Sequence, residues 1–221
     1  MSAAGPAVAS GDTVLLDMDG TLVLSEHVHR RSWARFFDSW DLAVDDATYE
    51  RTYMGRRALD VFAEVDGPWR ETDPAELNAR LVAYSDELAA EVEIVAGARE
   101  MIAELHARGH RIAIVTSAGR SWAGRIVDAL GVGAMVELTV TAEDVRTGKP
   151  DPECYLTACR RLGVDASRCV GFEDSPSGVR ALAAAGVGTI VGVTNTAAAA
   201  TLTAAGAGRT VPDLTPRTLL D

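Results

Sequence analysis

Apolar and polar positions follow two different rhythms along this chain. Thr13 to Leu16 form a short apolar run that stops at Asp17. A run of that length, closed by a charged group, predicts a buried parallel strand. From Glu26 to about Glu91 the spacing is helical: Trp33, Phe36, Phe37 and Trp40 share one face, as do Leu77, Leu81, Tyr84 and Leu88. No strand pattern interrupts that stretch. After Gly97 the rhythm changes again. Helices are predicted over 98–108, 121–130, 151–162, 175–185 and 197–205. They alternate with strands over 111–115, 135–140, 169–172, 187–193 and 210–211. Gly109, Gly131, Gly163 and Gly186 stand where those helices need C-caps, and Pro152 falls in a first turn.

This alternation predicts an α/β fold, a doubly wound parallel sheet with helices on both faces. The first strand belongs with the later ones, so the core is split. Residues 12–24 and 93–221 are expected to form it, with 25–92 inserted as a helical unit and 1–11 as a frayed tail. Sheets of this kind bind ligands outside the C-terminal ends of their strands.

Composition narrows the classes of function. The net charge of −11 over 221 residues argues against a nucleic-acid partner, which calls for clustered Lys and Arg. The uncharged stretch from Ala181 to Gly208 is broken by Gly186, Gly188, Gly192, Thr194 and Asn195, so no segment has the run of about 20 apolar residues that a membrane span needs. The N-terminus carries no signal-peptide pattern. Cys154, Cys159 and Cys169 match no zinc spacing and no disulfide framework, and read as buried thiols of a cytoplasmic protein. Oligomeric state is not legible; a monomer fits, and the tryptophans of the insert are expected in its core.

Polar groups gather at four strand ends. They are Asp17-Met-Asp19-Gly-Thr21, Val115-Thr116-Ser117-Ala118, Thr147-Gly-Lys149-Pro150 and Gly171-Phe-Glu173-Asp174-Ser175. Each set alone is ordinary turn chemistry. Together, at one edge of one sheet, they form a consistent phosphoryl site. Asp17, Asp19 and Asp174, with Glu173 as a further candidate, offer oxygens suited to Mg²⁺. Without a cation their mutual repulsion would raise their pKa values. Lys149 adds positive charge. The Thr116 hydroxyl and the N–H groups of Ser117 and Ala118 open toward a helix and can cradle phosphate. Asp17 then serves as nucleophile and metal ligand. Asp19 is the general acid for the leaving group, then the base for the water that cleaves an aspartyl phosphate.

These residues resemble the haloacid dehalogenase superfamily of phosphohydrolases. Asp17-Met-Asp-Gly-Thr21 is similar to its first motif, Thr116 to its second, Lys149 to its third and Glu173-Asp174 to its fourth. The resemblance spans nearly the whole chain. It implies a Rossmann-like core, a mobile helical cap, and a metal held by the backbone carbonyl at the Asp19 position. The wording of residues 140–152 and 171–178 is similar to sugar-phosphate phosphatases and β-phosphoglucomutases. His29 matches a mutase histidine. Tyr53 to Asp60 resembles the substrate-contacting loop of the cap, which makes Arg56 and Arg57 candidate contacts. The mutases carry an arginine where this chain has Ala58, which favours a phosphatase of small sugar or polyol phosphates. His27, His106 and His110 read as surface residues.

Three rival functions remain at this stage. A β-phosphoglucomutase-like isomerase would use the same phospho-aspartate. A dehalogenase or phosphonatase is disfavoured by Asp19, which those branches lack. A non-catalytic binding module is disfavoured by the intact set of motif residues.

Overall fold

The computed structural model describes residues 8–9 and 12–216. It divides into two compact units. One combines the described residues up to Val23 with those from Ile94 onward; Leu24–Glu93 forms the other.

The elements, in chain order, are β1 (Thr13–Leu16), β2 (Val23–Leu24), α1 (Glu26–Asp38), α2 (Asp46–Thr52), α3 (Ala58–Glu64), α4 (Pro74–Leu88), β3 (Glu93–Ile94), α5 (Ala98–Ala107), β4 (Arg111–Val115), α6 (Arg120–Leu130), β5 (Leu138–Val140), α7 (Glu153–Leu162), β6 (Cys169–Glu173), α8 (Pro176–Ala184), β7 (Thr189–Val193), α9 (Ala199–Ala205) and β8 (Arg209–Val211). The large sheet runs β5-β4-β1-β6-β7-β8, with every pairing parallel. The chain builds outward from β1 to β4 and β5, then returns across β1 to β6. Strand order therefore reverses around β1, which is where such sheets open a crevice at their C-terminal ends.

The α/β reading of the sequence holds. β1 and β4 match their predicted bounds. The expected strand over 135–140 shortens to Leu138–Val140, because Met135 and Val136 bond back to Val132 and close a turn instead. Alternation along each strand sends Leu15, Ala113 and Val115 into a cluster with Tyr155, Val179, Leu182 and Leu202 from α7, α8 and α9. Val14, Leu16, Ile112 and Ile114 are equally buried and point to the opposite face. All three cysteines are buried and reduced, with Cys159 Sγ 3.9 Å from Cys169 Sγ.

One expectation needs correction. His110 is not a surface residue: it is 8% exposed, and its Nδ1 lies 2.9 Å from the Asp12 carbonyl oxygen. The expected tail over 1–11 lies mostly outside the described residues.

The second unit is helical and has its own core. Trp33, Phe36, Phe37, Tyr49, Tyr53, Val61, Phe62, Trp69, Leu77 and Leu81 form one buried cluster, with Trp40 packed against it. Asp45 and Asp73 cap α2 and α4 by accepting from Thr48 N and Ala75 N. Among the described residues, no helix is long and apolar enough to cross a membrane.

Candidate active site

Sheet register assembles the site. Leu16 pairs with Ile114 on β4 and with Phe172 on β6. One residue further, Asp17 is level with Val115 and Glu173, and its N–H donates to the Phe172 carbonyl. Thr116 follows Val115 in the same way, its N–H donating to Val140 O. Asp174 follows Glu173. The four strand-end sets of the sequence therefore meet at one edge of the core unit.

Lys149 holds the cluster together. Its side chain is 4% exposed, and Nζ donates to Asp17 Oδ1 at 2.6 Å and to Glu173 Oε1 at 2.7 Å. A third bond reaches Val115 O at 3.3 Å. The Tyr155 ring lies 5.1 Å from the ammonium, and the Tyr155 hydroxyl donates to Glu173 Oε1. Glu173 Oε2 accepts from Ser175 N and Oγ, so both oxygens of this carboxylate are engaged. Gly178 makes room for it: a Cβ there would lie 1.7 Å from Glu173 Oε1.

Asp17 Oδ2 is buried and has no hydrogen-bond partner. A lone pair left so in a native site needs a reason. Burial pushes the Asp17 carboxyl up to about 7; Lys149 opposes that and the Glu173 charge adds to it. Burial likewise drives Asp174 far above the usual carboxylate range, helped by the charges of Glu173 and Asp17. Burial alone would lower the Lys149 pKa, but Asp17 and Glu173 carry it well above its ordinary value. One ammonium faces three buried carboxylates. Oxygens of Asp17, Glu173 and Asp174 lie within 4.8 Å of one another. This donor set is all oxygen and short of positive charge, and it fits a hard divalent cation.

The turn after β1 shapes the rest. Gly20 has φ +87° and a Cβ there would sit 1.9 Å from Asp174 Oδ2. Asn195 Nδ2 donates to Gly20 O at 2.9 Å, and Thr21 Oγ1 to Asp174 Oδ1 at 3.4 Å. Asp19 turns toward the second strand end. Its Oδ1 accepts from Trp122 Nε1 at 2.9 Å and its Oδ2 from Thr116 Oγ1 at 3.3 Å. The Ala118 N–H donates to Thr116 Oγ1 at 3.0 Å. That N–H, one half of the expected cradle, is therefore already engaged within the turn.

His29, Arg56 and Arg57 belong to the helical unit. His29 is half-buried on α1. Arg56 pairs with Glu64 and with the Thr52 carbonyl, and Arg57 Nε donates to Asp60 at 3.0 Å. Sequence reasoning placed Thr21 in the first motif without a role of its own, and missed Trp122, Tyr155 and Asn195. Trp122 and Tyr155 lie on amphipathic helices, where spacing signals burial but not the partner of a polar tip.

Residues 12–186 match the haloacid dehalogenase-like hydrolases. Validoxylamine A 7'-phosphate phosphatase of Streptomyces hygroscopicus subsp. limoneus is 38% identical over 184 residues, covering 82% of this chain and 85% of that protein. Hexitol phosphatase A of Escherichia coli is 32% identical over 78% of each. The crystal structure of CbbY from Rhodobacter sphaeroides in complex with phosphate superposes with a TM-score of 0.79, at 25% identity, over 92% of this chain and 95% of that one. The chain belongs to the haloacid dehalogenase-like hydrolase family.

Proposed function

We propose that this phosphoric monoester hydrolase is a Mg²⁺-dependent phosphatase of a small phosphorylated carbohydrate or polyol, working through a phospho-aspartate on Asp17. The observation that carries the reading is Asp17 Oδ2. It is a buried carboxylate oxygen without a partner, while its twin oxygen is fixed by Lys149. Relatives named as phosphatases of validoxylamine A 7'-phosphate and of hexitols support the substrate class.

Asp17 and Asp174 would hold Mg²⁺, with the Asp19 main-chain oxygen and with Glu173 beside them. A bound cation supplies charge compensation to these carboxylates and to the phosphoryl oxygens. Asp17 Oδ2 attacks phosphorus, and the bond from phosphorus to the leaving oxygen breaks. Asp19 gives its proton to that oxygen. Water then attacks the aspartyl phosphate; Asp19 takes the water's proton, and the bond from phosphorus to Asp17 breaks. Lys149, Thr116 and Ser117 N stabilise the transferring group by placement and charge. Leu24–Glu93 serves as a cap that supplies specificity, with His29, Arg56 and Arg57 as candidate substrate contacts.

The test is phosphate release over a panel of sugar and polyol phosphates, with and without EDTA. Asp17→Asn should lower release by ~10³-fold or more. Wild-type turnover by that variant would refute the nucleophile. A run with β-glucose 1-phosphate and a bisphosphate primer separates the mutase alternative, which would give glucose 6-phosphate in place of free phosphate.

A further inference from the structure

The indole of Trp122 sits where nothing in the motif chemistry requires it. It lies in the first turn of α6, is 5% exposed, and belongs to the buried face with Ala123, Ile126 and Leu130. A buried indole N–H usually finds an acceptor, yet this chain does not insist on it. Trp40 and Trp69 in the helical unit keep buried Nε1 groups with no partner. The Trp122 N–H does have one, and it is the carboxylate of Asp19, at 2.9 Å.

That contact distinguishes the two oxygens of Asp19. Oδ1 receives a short bond from a rigid donor that can only donate. Oδ2 meets the Thr116 hydroxyl at 3.3 Å, a long contact to a group that rotates and both donates and accepts. The oxygen that accepts from the indole is the poorer seat for a proton, because in a carboxylic acid the carbonyl oxygen accepts a hydrogen bond better than the hydroxyl oxygen does. The proton is better placed on the other. A planar carboxylate on two free torsions would otherwise present either oxygen, in several orientations.

We propose that Trp122 is a positioning residue for proton transfer: its N–H fixes Asp19 Oδ1 as a permanent acceptor and assigns Asp19 Oδ2 as the oxygen that gives and takes the proton. The inference rests on the role assigned above to Asp19 as acid and base. Trp122 is thus assigned an effect through Asp19, its hydrogen-bond acceptor, rather than a direct part in the reaction.

The test uses the full-length enzyme with Mg²⁺ and three probes, p-nitrophenyl, phenyl and benzyl phosphate. The leaving groups are of similar size, but p-nitrophenolate departs without a proton and benzyl alcohol does not. The quantity measured is kcat/KM, which reports the first phosphoryl transfer. Trp122 is replaced by β-(3-benzothienyl)alanine, whose sulfur keeps the ring shape and removes the N–H, and separately by Phe. Asp19→Asn is the reference. With the isostere, kcat/KM for benzyl phosphate should fall ~10–100-fold, part of what a general acid contributes, and for p-nitrophenyl phosphate less than ~3-fold. An equal fall on all three probes in the isostere would mean that the ring only packs, and would overturn the proposal. So would an unchanged benzyl phosphate rate. Trp122→Phe should show the same graded loss; a graded loss in the isostere that Phe lacks would also overturn it. If Asp19→Asn itself shows no dependence on the leaving group, the assignment of Asp19 fails, and the inference falls with it for a distinguishable reason.

Discussion

Lys149 Nζ lies 2.6 Å from Asp17 Oδ1, with the two side chains 4% and 8% exposed. This contact divides the labour of one carboxylate. The lysine fixes Oδ1, and the torsion of the side chain then sets the direction of Oδ2. A buried pair of this kind is not primarily a source of stability, since desolvation offsets much of its attraction. On the proposed mechanism its value lies in orientation and in charge held ready for the phosphoryl group.

Replacing Lys149 should therefore harm both activity and folding. Lys149→Met leaves Asp17 and Glu173 facing each other without the ammonium. Phosphate release should drop ~10²–10³-fold. Stability in urea at neutral pH should fall by about 3–5 kcal/mol, as when one partner of a buried pair is removed. The loss should shrink near pH 5, where Asp17 can take up a proton. An equal loss at both pH values would mean that the lysine stem matters more than its charge.

Gly20 links backbone conformation to the acidic cluster. Its φ is +87°, and an added Cβ would meet Asp174 Oδ2 at 1.9 Å and Thr196 Oγ1 at 2.7 Å. Gly109 has a similar φ of +79° with nothing within 4 Å of its Cβ position. Gly109→Ala should cost only the backbone strain, about 1 kcal/mol. Gly20→Ala should cost more, and it should raise the Mg²⁺ concentration for half-maximal activity at least ~10-fold, because Asp174 must move. Comparing the two variants in magnesium titrations and urea melts isolates the clash from the strain.

Phe36 is the centre of the helical unit. It is fully buried, and its ring lies 5.2 Å from Phe62, 5.4 Å from Trp69 and 5.7 Å from Trp33. Phe36→Ala should destabilise that unit by about 3–5 kcal/mol. In the full-length chain, limited proteolysis should then cut first within residues 24–93. Cuts that begin in α7 or α8 would show that the two units do not unfold separately.

Much of this was legible in the sequence because strand ends and chemistry coincide. The apolar run Thr13–Leu16 predicts both the strand and the place where Asp17 emerges. Register then does what spacing cannot: it brings Val115 and Glu173 level with Asp17, and Thr116 and Asp174 one residue beyond, from about 100 and 156 positions away. Family resemblance named Asp17, Thr116, Glu173 and Asp174 before any geometry was known. Tyr155 and Trp122 were not legible. Each lies on the buried face of a helix, and 3.6-residue periodicity cannot say that a hydroxyl will reach Glu173 or an indole N–H will reach Asp19. His110 was misread because short-range context gave no sign of the Asp12 carbonyl beside it. Arg56 and Arg57 were legible as cationic residues of the insert, but their ion pairs with Glu64 and Asp60 depend on the turns of α3.

The last prediction concerns pH and the metal together. In the metal-free protein the Asp17 carboxyl is raised from 3.8 to about 7, first by burial. Between those values the folded state binds more protons at this site than the unfolded chain does. Stability from this group is therefore complete below about pH 3.8 and is lost as pH rises through about 7. Asp174, raised by the same burial, acts in the same direction. Metal-free wild type should accordingly lose thermal stability from pH 5 to pH 8. Asp17→Asn should flatten that slope and, without metal, be the more stable protein at pH 8, since it no longer buries the charge. Mg²⁺ favours the ionised carboxylates, so its stabilising effect on wild type should grow over the same pH interval, by linkage between binding and folding. Thermal melts at pH 5, 6, 7 and 8, with EDTA or with Mg²⁺, measure all three effects. A metal-free wild type that is as stable at pH 8 as at pH 5, with Asp17→Asn no more stable, would show that the cluster tolerates its charges without a cation. The functional and the destabilising properties of Asp17 would then have separate origins; the geometry gives them one, a carboxylate held in a dry site for a partner that arrives with positive charge.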